Sequence, residues 1–153
     1  DAVPALLAAG ADAVVVDSEA LAAEVAAITG TQAPKLALDA IAGDATRRLA
    51  ASVAPGGTVV NYGLLSGEPC RVEPRDTVFR DVSLRGFWLQ AWWMQASREE
   101  ITALYQHLAA MVVEGTLHAP VEACYPQARV REALAHAARP QRHGKSLLAA
   151  GDG

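Results

Sequence analysis

The sequence predicts an α/β fold in which a parallel sheet is joined by crossover helices. Short runs of branched aliphatic residues alternate with longer helical runs along the first part of the chain. The aliphatic runs are continuous rather than alternating, which is typical of strands buried on both faces. Glycine follows several helical runs, at the position where it commonly ends a helix. These patterns together indicate repeated strand–helix units.

Three strands are predicted before residue 65, each next to a helix. The predicted strands are residues 13–16, 36–39 and 58–62, and the predicted helices are residues 3–9, 17–29 and 43–53. Residues 66–80 include Pro69 and Pro74 among many polar side chains, which favours a loop or lid.

The second half of the chain is less regular. Ser97 and Glu100 form a capping box, which predicts the start of the longest helix, and Gly115 predicts its end. A further strand is predicted over residues 82–89, followed after Gly115 by a strand at 121–124, a helix at 128–138 and a strand at 146–149.

Composition excludes several classes of protein. The 153 residues carry a net charge of −4 and no basic stripe, which argues against a nucleic-acid surface. No apolar run reaches the roughly 20 residues that a membrane helix needs. Cys70 and Cys124 lie far apart, so neither a disulfide scaffold nor a zinc cluster is indicated, and we expect a reducing, cytoplasmic location.

Familiar catalytic and binding motifs are missing. There is no G-x-G-x-x-G turn after a strand and no G-x-S-x-G elbow. Gly144-Lys145-Ser146 resembles the end of a phosphate-binding loop, but Arg139 stands where its first glycine belongs and a strand follows, so we reject that reading. The histidines do not pair at metal-binding spacing, so we expect no metal site; they are His107, His118, His136 and His143.

Ligands of open parallel sheets bind beyond the carboxyl ends of the strands. Gly43 and Gly63 follow two predicted strands there, and each fits either a plain turn or a close approach of backbone to a ligand. Trp88, Trp92 and Trp93 lie within eight residues of one another. Such a cluster fits core or subunit-interface packing, and it also fits an aromatic wall beside a flat ring or an acyl chain.

Several segments together resemble the medium-chain dehydrogenase/reductase superfamily. They are GADAVVVD, KLALDAIAG, LAASVAPGGTVVNYGLLSG, FRDVSLRGFWLQAWW and HGKSLLA. The spacing of YGLL and LRGFWL is the most specific of these signals. It points to the zinc-independent branch, near the trans-2-enoyl-CoA reductases and quinone-reductase-like proteins. The resemblance covers essentially the whole chain but only the C-terminal half of the family's length.

The resemblance implies part of a Rossmann-type sheet followed by a strand–helix–strand segment of a second domain. Residues 1–116 would be the latter part of the NADPH-binding domain, and residues 117–153 would return to the substrate domain. Asp1 opens the chain without a methionine, inside a predicted helix. We therefore expect this sequence to belong to a protein about twice as long.

The resemblance also implies the residues that bind NADPH. They are Tyr62, Gly63, Leu64, Leu65, Phe87, Trp88, Leu89, Gln90 and Lys145. Family members usually have a second glycine after Tyr-Gly, and Leu64 stands in that place here. The family's proton-donor tyrosine lies in the N-terminal substrate domain, so no catalytic residue is assigned in this chain.

The function that follows is reduction of the C2=C3 double bond of an enoyl thioester by NADPH. One alternative is a quinone or enone reductase of the same superfamily. Another is a non-catalytic half-domain that dimerises through the edge strand and tryptophans of residues 82–94. A homodimer through residues 82–94 is also expected for the enzyme itself.

Overall fold

The computed structural model describes residues 2–139 and 144–150 and confirms the α/β class. The helices are α1 (Val3–Ala8), α2 (Leu21–Thr29), α3 (Asp44–Ser52), α4 (Pro74–Val78), α5 (Leu89–Gln95), α6 (Arg98–Val113) and α7 (Val130–Ala137), and a 3₁₀ turn spans Gln127–Arg129. The strands are β1 (Leu36–Asp39), β2 (Thr58–Asn61), β3 (Ser83–Gly86), β4 (Val121–Pro126) and β5 (Lys145–Ala149). The chain divides into two compact units, and the boundary along the sequence falls between Trp92 and Trp93.

The first unit contains a three-stranded parallel sheet in the order β1-β2-β3. In its register Asp39 lies beside Asn61, and Asn61 beside Gly86, so the carboxyl ends of all three strands meet at one edge. A parallel pair needs a crossover connection, and α3 supplies it between β1 and β2. This arrangement brings the segments after β1, β2 and β3 together.

The core of this unit lies between α3 and the sheet. It consists of Ala50, Val53, Val59 and Val82, each at most 5% exposed. Ala50 presents a small side chain on the buried face of α3, which lets the helix approach the branched side chains of the strands. Helix α3 ends at Ser52, and the turn Pro55-Gly56-Gly57 follows before β2. Gly57 is needed there, because a Cβ on it would lie 2.7 Å from the Ala54 carbonyl oxygen.

The predicted strand at residues 13–16 is wrong. Those residues form no ladder with any described segment. Val15 and Leu38 both line an open cleft of about 360 Å³. Val16 is 73% exposed rather than buried. Helix α2 also starts later than expected, at Leu21, and Gly30 ends it with a φ of +58°.

The predicted strand at residues 82–89 is too long. β3 pairs residue by residue with the four residues of β2, so the ladder ends where β2 ends, at Gly86. The Trp88 carbonyl then accepts hydrogen bonds from the Ala91 and Trp92 amides, which starts a helix. Leu89, expected to end that strand, lies instead on α5, as does Gln90. The loop at residues 66–80 likewise contains a short helix, α4.

The second unit confirms the predicted helix–strand–helix–strand order. Ser97 accepts from the Glu100 amide and Glu100 accepts from the Ser97 amide, so the capping box is present at the start of α6. β4 and β5 form a parallel pair, with α7 connecting them. Gly144 precedes β5 because a Cβ there would lie 2.7 Å from the Pro120 carbonyl oxygen.

Two further expectations concern the chain as a whole. The predicted domain boundary after residue 116 stays a prediction. Across residues 2–139 and 144–150, no helix combines the length and the apolar character required to cross a membrane.

Candidate functional site

An open cleft lies at the carboxyl ends of β2 and β3. Its volume is about 570 Å³, and eight residues line it: Asn61, Tyr62, Gly63, Leu64, Gly86, Phe87, Trp88 and Ala91. Tyr62, Phe87 and Trp88 are 55%, 50% and 64% exposed, so the aromatic side chains are open to solvent. Flat apolar surfaces beside exposed strand-end backbone can accept a planar ring.

The structure brings together five of the nine residues predicted to bind the cofactor. Tyr62, Gly63 and Leu64 come from the turn after β2, and Phe87 and Trp88 from the turn after β3. Three of the other predicted residues do not line this cleft, since Leu65 is 77% exposed and Leu89 and Gln90 begin α5. Lys145 begins β5 in the second unit. The cofactor role of all nine stays a prediction.

A buried carboxylate organises the turn after β1. Asp39 is 1% exposed, and one of its oxygens accepts hydrogen bonds from the Ile41 amide at 2.8 Å and the Ala42 amide at 3.0 Å. The other oxygen accepts from the hydroxyl of Thr46, on α3, at 2.6 Å. The turn also contains a left-handed residue that is not glycine, since Ala42 has a φ of +68°. Such a conformation costs about 1–3 kcal/mol and persists where its surroundings impose it.

Asn61 connects this turn to the cleft. Its amide nitrogen lies 3.3 Å from the Asp39 carboxylate and 2.9 Å from the Gly63 carbonyl oxygen, and it donates to both. Gly63 is packed so tightly that a Cβ on it would overlap the carbonyl oxygen of Ala40. Glycine at position 63 is therefore required by the neighbouring turn. This explanation differs from the two that the sequence suggested, a plain turn and a close approach of backbone to a ligand.

Gly43 has its own role beside the same turn. Its φ is +62°, and a Cβ there would lie 3.3 Å from the side chains of Ser66 and Glu68. The Arg71 amide donates to its carbonyl, and the Arg71 guanidinium pairs with Asp44 at 2.9 Å. Gly43 thus allows the loop after β2 to lie against the start of α3.

Hydrogen bonding keeps Asp39 ionised in spite of its burial. Burial by itself raises the pKa of the Asp39 carboxyl, but the donors Thr46, Ala42, Ile41 and Asn61 outweigh burial and hold that pKa below its ordinary value. Asp39, Thr46 and Asn61 were not among the site residues predicted from the sequence. The sequence did contain a signal for two of them. Asp39 and Asn61 are polar residues at the ends of neighbouring strands, and the carboxyl ends of those strands lie at the same edge of the sheet.

A second polar chain lies in the other unit. Tyr125 on β4 is hydrogen bonded to Nδ1 of His136 on α7 at 2.8 Å, and Nε2 of the same ring lies 3.2 Å from Glu122. Arg129 stacks over the Tyr125 ring, 5.6 Å from its centre. These contacts attach α7 to β4.

Comparisons with known proteins agree on one family. The family model described as zinc-binding dehydrogenase matches residues 2–110. The mitochondrial enoyl-[acyl-carrier-protein] reductase of Mus musculus is 32% identical over 115 residues, which are 75% of this chain and 31% of that protein. The chain therefore spans less than a third of that relative's length.

Solved structures agree on the fold. A structure described as a putative NADPH:quinone reductase from Bacillus thuringiensis superposes with a TM-score of 0.78 at 27% identity, over 93% of this chain and 43% of that one. A mutant enoyl thioester reductase from Candida tropicalis superposes with a TM-score of 0.76 at 21% identity, over 95% and 42%. With its family-model match over more than two thirds of its length, this chain belongs to the zinc-binding dehydrogenase family.

Proposed function

We propose that the protein containing this chain is an NADPH-dependent oxidoreductase that reduces the C2=C3 double bond of an enoyl thioester. One observation carries the proposal. The cleft beyond β2 and β3 gathers residues from NYGLL and from LRGFW, the two segments whose spacing pointed to enoyl reductases. The murine relative, named as an enoyl-[acyl-carrier-protein] reductase, supports the choice of substrate class.

The cleft fits one end of a dinucleotide. Its volume of about 570 Å³ lies within the range of small-molecule sites, and its walls are mainly apolar with strand-end backbone between them. When bound, NADPH supplies the hydride that the reduction consumes. Tyr62 and Leu64 would contact one face of the nicotinamide, and Phe87 and Trp88 would shield it from water. Leu65, Leu89, Gln90 and Lys145 stay predicted contacts.

The contribution of these residues would be orientation. A rigid wall that fixes the ring relative to the substrate removes rotational freedom before reaction, an effect worth up to about 7–11 kcal/mol when the geometry is ideal. The described residues include no group of three His, Cys, Asp or Glu side chains suited to a metal ion. The family's description mentions zinc, but these residues do not fit such a site, and no step proposed here involves it.

The test uses the full-length protein. We expect it to bind NADPH and to oxidise it in the presence of crotonyl-CoA, followed by the loss of NADPH absorbance. Phe87→Leu should weaken NADPH binding. Phe79→Leu is the matched control, because Phe79 is 84% exposed in the same unit and does not line the cleft. NADPH binding without turnover of any enoyl thioester would contradict the proposed substrate.

The second candidate is a quinone or enone reductase. The Bacillus thuringiensis structure, which is described as a putative NADPH:quinone reductase, favours it. The same preparation separates the two candidates, because turnover of a quinone without turnover of crotonyl-CoA would select this second function. If the protein neither binds NADPH nor turns over either substrate, the non-catalytic half-domain becomes the better description.

A homodimer through residues 82–94 is part of the proposal. β3 is an edge strand whose four residues are all exposed, and Leu84 is 40% exposed. Exposed edge strands are sites where a second chain can pair. Light scattering of the full-length protein should give a dimer for the wild type and a monomer for Leu84→Lys. An unchanged dimer in Leu84→Lys would contradict this interface.

The location is proposed as cytoplasmic. The murine relative is named as mitochondrial, so fractionation of the native cells is the appropriate measurement. Recovery of the protein in mitochondria would contradict the cytoplasmic assignment.

A further inference from the structure

The turn after β1 and the loop after β2 are joined along their backbones. The Tyr62 amide donates to the Asp39 carbonyl at 2.9 Å, and the Leu65 amide donates to the Ala40 carbonyl at 3.2 Å. The Ser66 amide donates to the Ile41 carbonyl at 2.9 Å. Every residue from 39 to 41 thus accepts a hydrogen bond from the loop that forms one wall of the cleft. Any movement of the first turn would move that wall.

The first turn needs a specific support. Ala42 is 1% exposed and holds a positive φ, although alanine has a Cβ that disfavours this conformation. The carboxylate of Asp39 binds the amides of Ile41 and Ala42, which orients the two peptide units concerned. Thr46, which is fully buried, holds the second carboxylate oxygen from α3.

From these contacts we infer that Asp39 is a positioning residue for the NADPH site. Its carboxylate, held by Thr46 and Asn61, imposes the strained turn at Ala40–Ala42, and that turn places Tyr62 and Gly63 along the cleft. This inference rests on the proposed function for the identity of the ligand. The positioning itself does not depend on which ligand binds, and separate measurements test the two.

Asp39→Asn is the informative change because asparagine has the shape of aspartate but carries an NH₂ group in place of one acceptor oxygen. All four groups around the carboxylate donate to it. The amide nitrogen of an asparagine on the side of Ile41 and Ala42 would face two backbone amides. On the other side it would face the Asn61 amide, and only the Thr46 hydroxyl could turn to accept from it, at the loss of its own bond to residue 39. A buried donor without an acceptor destabilises its surroundings, so the turn should relax. Thr46→Val removes one donor at almost constant shape, and Thr46→Ser restores it.

Asp76→Asn is the matched control. Asp76 is fully buried in the same unit, but its carboxylate binds Arg80 beside α4, away from the cleft. Both Asp variants remove a buried negative charge, and both should lower the stability of the unit. Only the change at Asp39 should alter the cleft.

The first measurement is amide hydrogen exchange of the full-length protein without cofactor. We expect Asp39→Asn to speed exchange of the peptide that covers Ile41 and Ala42 and of the peptide that covers Leu65 and Ser66. Asp76→Asn should leave both unchanged relative to the rest of the sheet. Equal exchange in Asp39→Asn and wild type would overturn the inference whatever the ligand is.

The second measurement is NADPH affinity and enoyl thioester kinetics, at a temperature where every variant is folded. Asp39→Asn and Thr46→Val should raise the Kd for NADPH, the former by at least about tenfold. Thr46→Ser and Asp76→Asn should match the wild type. An unchanged Kd in Asp39→Asn would overturn the inference, whereas a wild type that does not bind NADPH would overturn the proposed function and this link to NADPH.

Discussion

Arg80 is expected to be the most important single cation for the stability of the first unit. Its guanidinium donates to Asp76 at 2.7 Å and to the carbonyl oxygens of Ala50, Ala51 and Val53, which end α3. Asp76 is 1% exposed at its side chain, so Arg80 is the counter-charge of a carboxylate that water does not reach. Arg80 itself is 29% exposed at its side chain, which leaves part of the guanidinium accessible to solvent.

Arg80→Met should therefore lower the free energy of unfolding by about 3–5 kcal/mol, the usual cost of leaving a buried charge unpaired. Arg75→Met is the control, because Arg75 lies 3.9 Å from the same Asp76 oxygen but is 73% exposed at its side chain. A surface change of this kind costs within about 0.5 kcal/mol. The assay is urea unfolding of the full-length protein, followed by tryptophan fluorescence.

The double variant Asp76→Leu with Arg80→Met sharpens the test. If the cost of Arg80→Met comes from the stranded carboxylate, then removing both partners should cost less than the sum of the two single changes. Equal losses of unfolding free energy in Arg80→Met and Arg75→Met would refute the reasoning, because the burial of the Asp76–Arg80 pair would then not affect stability.

Three further changes test other parts of the structure. Gly63→Ala should cost about 1–3 kcal/mol in urea unfolding, because its Cβ overlaps the Ala40 carbonyl, whereas Gly86→Ala, with no atom within 4 Å, should cost little. The pKa of Asp39 is lowered on folding. The contribution of Asp39 to the free energy of unfolding is therefore complete above the unfolded pKa near 4 and is lost as the pH falls towards the folded pKa. Urea unfolding from pH 6 to pH 3 should show a smaller loss of that free energy in Asp39→Asn than in wild type. Ser97→Ala should cost about 1 kcal/mol, measured in the same way, and Ser97→Thr much less, because the capping bond from the Glu100 amide is retained.

Local signals in the sequence were sufficient where a few neighbouring residues determine the structure. The capping box at Ser97 and Glu100 and the glycine after α2 act within one helical turn, and both are found as predicted. The strand at residues 13–16 depended on a neighbour that its own composition cannot reveal. The end of β3 at Gly86 was likewise decided by the length of β2, since a ladder extends only as far as both strands do.

The candidate site shows the same contrast between local signals and contacts with distant segments. Tyr62 and Phe87 were predicted through a resemblance in sequence segments, and the parallel register brings them to one cleft. Asp39 and Thr46 were missed because their relation appears only when α3 packs against β1. A single polar residue at a strand end carries little information until its partner across the sheet is known.

The strain at Ala42 has a consequence for ligand binding. A left-handed alanine costs about 1–3 kcal/mol, and the hydrogen bonds that Asp39 accepts from Ile41 and Ala42 offset that cost within the folded chain. The turn therefore has its final shape before a ligand arrives, and the loop bonded to it is ordered in the same way. A site ordered during folding loses little further entropy on binding, which leaves more of the interaction energy as affinity.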